Sequence, residues 1–231
     1  MNIIVTGGSN GIGKQAALQL AADKNNKIII TGRDPATLEA VANLAVNRNV
    51  GILACDFNKL NLASDAFRKD VLAVLDSIDI LINNAGILYA QQFMEISQEQ
   101  AREMMEVNFF APALIIRTLL PVMNKGAHIV NISSMGGFQG SVKFAGLSYY
   151  SASKAALTCL SECLAKELEE QGLTVNCLAL GSVQTEMQKI AFPHFNAPVT
   201  AREIGKFISD FALNGKRYFN GKVIPVALTT P

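Results

Sequence analysis

The chain has 231 residues, enough for one large domain with a sizeable core, and its 20 Lys and Arg against 19 Asp and Glu leave a formal charge of +1. That balance excludes a global basic field for nucleic acid or an anionic membrane surface. Apolar residues make up 50% of the chain and charged residues 17%, which excludes a disordered chain and suits a sheet buried on both faces.

In chain order, apolar runs at residues 3–6, 27–31, 51–54, 78–82, 128–132, 174–178 and 222–226 predict seven strands. The intervening segments place apolar residues three and four apart, as in Leu18, Ala21 and Ala22, in Leu38, Val41 and Leu44, and in Leu157, Leu160, Leu164 and Leu168, and predict amphipathic helices. Strict strand–helix alternation with two-faced apolar strands implies a parallel sheet covered by right-handed crossovers. The expected fold is α/β, a Rossmann-type doubly wound parallel sheet of about seven strands flanked by helices, in a single domain over residues 1–231. No repeat or low-complexity linker divides it.

Asn2 to Thr6 reads as a strand that meets glycines at once, unlike a signal peptide, so cytoplasm is the expected address. The longest apolar run, residues 109–116, is short of a membrane span and interrupted by Pro112, so no membrane partner is expected. Cys55, Cys159, Cys163 and Cys177 lack metal or redox spacing and are expected as reduced core residues.

After the first strand comes Thr6-Gly7-Gly8-Ser9-Asn10-Gly11-Ile12-Gly13, then a helical pattern from Lys14 to Ala22. Glycines there let the backbone turn tightly beside a pyrophosphate, whose charge the free N–H groups and positive end of the helix stabilise. Dinucleotide binding is the expected chemistry. The stretch nearly reads as a nucleoside triphosphate loop, but Gln15 follows Gly13-Lys14 where a magnesium-holding hydroxyl is needed. At the end of the second strand stands Thr31-Gly32-Arg33-Asp34. A guanidinium suits a ribose 2′-phosphate, so Arg33 favours NADP(H), with NAD(H) second, while Asp34 is free to cap the helix that Pro35 opens.

Tyr150 and Lys154 are four apart on a predicted helix and share a face. Bringing a phenol from a pKa near 10 toward neutrality takes roughly 4 kcal/mol of phenolate stabilisation, part of which an adjacent ammonium can supply. Such a pair gives a proton to a carbonyl oxygen, or takes one from an alcohol, as hydride moves. Ser134 follows the carboxyl end of the fifth strand, where its hydroxyl can meet the substrate oxygen, with Ser133 as the competing neighbour.

Together the glycine turn, Asn83-Asn84-Ala85-Gly86, Asn108, Ser133-Ser134 and Tyr150-Ser151-Ala152-Ser153-Lys154 resemble the short-chain dehydrogenase/reductase family, in order along nearly the whole chain. The resemblance implies catalytic roles for Asn108, Ser134, Tyr150 and Lys154, with Asn108 organising water behind the lysine. It implies cofactor contacts at Gly7, Ser9, Asn10, Gly11, Ile12, Gly13, Arg33, Asp56, Asn84, Ala85, Gly86, Tyr150, Lys154, Gly181, Val183 and Thr185, Asp56 meeting the adenine amino group. No metal is expected. Three features depart from the family pattern. Ser134 and Tyr150 lie 16 positions apart, Leu180 replaces a proline before Gly181, and the glycine pair customary after the last strand is absent from residues 227–231.

The expected function is NADPH-dependent reduction of a small ketone or aldehyde, or the reverse oxidation. A 3-oxoacyl-[acyl-carrier-protein] reductase and a non-catalytic dinucleotide sensor are the alternatives. His194 and His128 receive no catalytic role, and Met187, Phe192 and Phe195 suggest an open apolar mouth. Small residues Ala152, Ala155 and Ala156 with Leu164 suit helix–helix contact, and the resemblance implies a homodimer or homotetramer.

Overall fold

A computed structural model describes residues 1–59 and 65–228. The expectation of one domain over 1–231 therefore includes residues 60–64 and 229–231, which lie outside the described residues.

Seven parallel strands form the main sheet: β1 (Asn2–Val5), β2 (Lys27–Gly32), β3 (Val50–Ala54), β4 (Ile78–Asn83), β5 (Met123–Ser134), β6 (Thr174–Leu180) and, last in the chain, β9 (Val223–Val226). Their spatial order is β3-β2-β1-β4-β5-β6-β9. A separate two-stranded pair, β7 (Val183–Gln184) with β8 (Val199–Thr200), lies outside the sequence expectation; its strands are too short for a periodic signal. The chain leaves β1 toward one edge and returns through β4 toward the other, so the switch in direction falls between the adjacent carboxyl ends of β1 and β4.

Strand periodicity sorts the apolar residues into two cores. Ile3, Val5, Ile28, Ile30, Ile80, Ile82, Val130 and Ile132 face α1 (Gly11–Ala21), α2 (Pro35–Ala42) and α8 (Ala201–Asn214). Ile4, Ile29, Leu81 and Ile129, one position along, face α3 (Ala66–Leu72), α5 (Ala111–Leu119) and α6 (Ser148–Glu167). Successive strand side chains point to opposite faces, so continuous apolar runs fill both layers.

Before α5, helix α4 (Gln98–Met105) runs through a π turn, Glu106–Phe110, and Pro112 stands at the start of α5, where a missing N–H is tolerated. The combined stretch Gln98–Val122 is long and apolar enough, by length and composition, to cross a membrane. Counting consecutive apolar residues missed it because charges interrupt the run. A core helix passes the same test, and here Met104, Val107, Ile115, Ile116 and Leu119 are buried in the fold.

The cysteines are reduced as expected, but the expected core placement holds for Cys177 alone. Cys55 is half-buried, and Cys159 and Cys163 are exposed, all four as free thiols. On α6 the inward face belongs to Leu157, Ser161 and Ala165, which turns both cysteines outward. His128 is buried, with Nδ1–H directed to the Ala212 carbonyl at 2.9 Å and Nε2 taking the Asn176 amide at 3.0 Å. Burial pushes its pKa down to about 4. It is a neutral structural residue, as is Asn176, which also accepts from the Lys222 amide.

Candidate active site

A cleft of about 890 Å³ opens along the carboxyl ends of the central strands. Its wall includes Gly7, Ser9, Asn10, Gly11, Ile12, Arg33, Asp56, Asn84, Ala85, Gly86, Ser134, Tyr150, Lys154, Gly181, Val183 and Thr185. Gly13 and Asn108 stand just behind that wall.

The floor begins where β1 runs into α1. Asn10 takes the N-cap position without a capping bond from its side chain, which leaves the first N–H groups of α1 to a ligand or water. A Cβ on Gly13 would sit 2.3 Å from the Gly7 carbonyl oxygen, so only glycine lets the turn close on itself. Across the switch point, Thr6 Oγ1 accepts from the Asn84 and Ala85 amides, each at 3.0 Å, and Asn84 Nδ2 donates to the Thr6 carbonyl at 3.0 Å. Asn84 thus fastens the β4 end to the glycine turn.

At the end of β2, Asp34 caps α2 through the Ala36 and Thr37 amides, with Pro35 at its first turn. Arg33 is exposed and enters none of the ion pairs among the described residues. Asp56 accepts from the Asn58 amide at 3.1 Å. The same wall carries a bridge that sequence reading missed. Glu103 accepts from Tyr89 Oη and from Asn58 Nδ2, both at 2.6 Å. Its partners are 14 and 45 positions away, so no local pattern announces it.

At the reacting end, β5 grips α6 with three consecutive residues. The Ile132 carbonyl accepts from Lys154 Nζ at 2.9 Å. Ser133 Oγ donates to the Lys154 carbonyl at 2.9 Å and meets Thr158 Oγ1 at 3.0 Å. Ser134 Oγ accepts from the Gly136 amide at 3.1 Å and is hydrogen-bonded to the Tyr150 phenol. Ser133 is spent on the helix backbone; Ser134 is the serine beside Tyr150. Gly137 makes the contact tight, because a Cβ there would fall 2.5 Å from the Lys154 backbone carbon.

Asn108 lies in the π turn. Its Oδ1 accepts from the Ile87 amide at 2.8 Å, and its Nδ2 donates to the Ile87 carbonyl at 2.9 Å and to Ser153 Oγ at 3.0 Å. Ser153 in turn donates to the Tyr150 carbonyl at 2.7 Å. The side-chain amide therefore has protein partners for its oxygen and both hydrogens, and it braces the loop after β4 against the Tyr150 turn.

The electrostatics differ from the simple ammonium–phenol expectation. Burial pushes the Tyr150 phenol above its ordinary value, against a smaller lowering by the Ser134 hydrogen bond. Burial also pulls Lys154 down to about 8. The free protein therefore presents a protonated phenol at neutral pH.

Toward the mouth, Thr185 caps α7 (Glu186–Ala191) through the Gln188 amide at 3.2 Å, and Gly181 and Val183 lead into that segment. Phe144 lines the cleft, whereas Phe138 lies off the lining, its carbonyl held by Ser141 Oγ at 2.9 Å. Met187, Phe192 and Phe195 join the lining; His194 is exposed and does not. Among the described residues no cluster of three metal-binding side chains occurs.

A family model described as short chain dehydrogenase matches residues 1–194. The chain is 32% identical to the 3-oxoacyl-[acyl-carrier-protein] reductase FabG of Aquifex aeolicus, over 96% of this chain and 94% of that one. It is also 32% identical to Dehydrogenase/reductase SDR family member 7B of Danio rerio, over 80% of this chain but 62% of that longer protein. A solved short chain dehydrogenase from Burkholderia cenocepacia in complex with NADP superposes with a TM-score of 0.86 at 27% identity, covering 97% of this chain and 95% of that one.

Proposed function

Because the chain belongs to the short-chain dehydrogenase family, we propose that it reduces a ketone or aldehyde with NADPH at the site formed by Ser134, Tyr150 and Lys154. It is an NAD(P)-dependent oxidoreductase acting between CH–OH and C=O; the cofactor preference, the direction and the residue roles are our reading. The observation that carries the reading is the three-residue grip of β5 on α6, which sets Ser134, Tyr150 and Lys154 in one cleft with the glycine turn.

The residues present fit a dinucleotide. The α1 N-terminus has no capping side chain, the turn at Gly7 and Gly13 is closely wrapped, and Arg33 has no carboxylate partner among the described residues. Gly7, Ser9, Asn10, Gly11, Ile12 and Gly13 would hold the pyrophosphate, Arg33 a 2′-phosphate and Asp56 the adenine. Ala85, Gly86, Gly181, Val183 and Thr185 would flank the nicotinamide half. When bound, the cofactor supplies or accepts hydride.

Ser134 orients the substrate oxygen and Tyr150 gives it a proton. Lys154, next to the Ile132 carbonyl, contributes positive charge as the phenol ionises. Asn108 acts as a positioning residue through Ile87 and Ser153. A phenol held protonated at neutral pH favours the reductive direction there. The reverse oxidation requires its loss, so alcohol oxidation is expected to climb from pH 7 while ketone reduction stays flat until Lys154 begins to lose its charge near pH 8 and then falls, measured as kcat/KM in each direction.

NADPH is favoured by Arg33. Arg33→Ala is expected to raise the KM for NADPH about tenfold to a hundredfold with little change for NADH, the loss of one or two charge-assisted bonds. Equal effects on both cofactors would remove the preference. The likeness to FabG over nearly its full length supports a second reading, a carrier-linked 3-oxoacyl substrate; turnover of a 3-oxoacyl thioester on the carrier far above the free thioester would select it. We also place the chain as a single cytoplasmic unit and a homodimer or homotetramer. The outward side of α6, where Ala152, Ala155 and Cys159 are exposed, is the face that would pair.

A further inference from the structure

We infer that the substrate is a neutral carbonyl compound with a bulky apolar substituent, and that carbonyl compounds carrying a carboxylate or phosphate next to that substituent are rejected. The inference rests on the reductase reading above and concerns the end of the cleft beyond Tyr150. Phe144, Ile190, Phe195 and Leu228 all line the cleft. They are 52%, 78%, 51% and 74% exposed, an apolar rim that water alone covers poorly. A small ketone would leave it wet, whereas an aryl, alicyclic or long-chain group would cover it.

Charge points the same way. The cationic side chains of the cleft wall are Arg33, at the far end with Asp56, and Lys154, in the floor on the Ile132 carbonyl. Lys143 and Lys189 flank the mouth, and neither belongs to the cleft lining. Lys143 Nζ is tied to the Phe138 carbonyl at 2.6 Å and to Ser141 Oγ at 2.7 Å. Lys189, on α7, lines an adjoining hollow with Lys14 that shares Thr185 and Glu186 with the cleft, and is itself outside the cleft lining. Residues 60–64 and 229–231 contain no Lys, Arg or His, so they add no cationic side chain. The charged group of the wall nearest this end in sequence is Glu186, an anion. An anionic substituent seated here would lose its hydration without a counter-ion.

The test compares initial rates of NADPH oxidation with 2-butanone, 2-octanone, methyl 4-acetylbenzoate and 4-acetylbenzoate. For the alkanones, kcat/KM is expected to rise about threefold to fourfold per added methylene until the rim is covered. The methyl ester is expected to exceed its carboxylate by about 100-fold. Ile190→Lys, at a site 78% exposed where the fold is not at stake, is expected to raise kcat/KM for the carboxylate about tenfold while lowering it for 2-octanone, since it both adds a cation and removes part of the apolar rim. Equal or better turnover of the carboxylate, or rates that ignore apolar size, would overturn this inference and leave the reductase reading standing. Absence of turnover with every carbonyl compound, alongside tight NADPH binding by fluorescence, would sink both.

Discussion

The floor of the cleft and its mouth are held by different means. On the floor, Ile132, Ser133 and Ser134 each bond to α6, and Gly137 presses against the backbone at Lys154. At the mouth, Phe144 sits on an irregular loop and Ile190 on a six-residue helix with no buried residue. The floor is therefore expected to resist rearrangement, while the mouth is free to vary in chemistry at little cost in stability.

Substitutions can break that contrast, and the largest effect belongs to the floor. Tyr150→Phe is expected to lower kcat by about 10²–10⁴-fold while leaving NADPH binding nearly intact, measured by steady-state rates and fluorescence titration. Gly137→Val places carbon atoms against backbone that cannot swing away, so a loss of about 1–3 kcal/mol in urea unfolding is expected, together with reduced activity.

A titration sharpens the comparison beneath the floor. His128 has a folded pKa of about 4 against an ordinary 6.5, so the unfolded chain binds its proton first as pH falls. Its contribution is fully present above about 6.5, is lost progressively on the way down and stops falling near 4, a total of about 3 kcal/mol. Chemical unfolding at pH 7 and pH 4.5 should show the decline, and His128→Asn should flatten it.

Asn108→Ala is expected to cost roughly 1–3 kcal/mol, because the Ile87 amide and carbonyl lose their partner. A drop in kcat larger than any rise in KM would mark its positioning role. At the small end, Phe144→Ala at the mouth should change stability by no more than about 0.5 kcal/mol while raising KM for large ketones. A large stability loss there would erase the contrast between the two regions.

The same division governs how much was legible in the sequence. Strand periodicity placed all seven strands of the sheet because six of the apolar runs supply residues to both cores and the last, β9, supplies Ile224 and Val226 to one. Asp34 with Pro35 announced the start of α2 because capping is local chemistry. The glycine turn and the Tyr150–Lys154 pair were visible for the same reason, as short patterns whose spacing carries their geometry. The Glu103 bridge to Tyr89 and Asn58 was not, since folding alone brings those segments together. Nor was the choice between Ser133 and Ser134 settled by residue type, because both are serines on one strand and only the position of α6 separates their partners. The cysteines misled because apolar character says nothing about which side of α6 a residue occupies.

The three-residue grip of β5 on α6 has an evolutionary corollary. Ser134 and Tyr150 are registered by strand pitch against helix pitch, like two rulers laid side by side, and beyond Gly136 and Gly137, which press on that seam, the peptide joining them bears no part of the registration. Residues 139–146 are therefore an insert that selection, or a protein engineer, can lengthen or exchange to admit new molecules without recalibrating the proton donor.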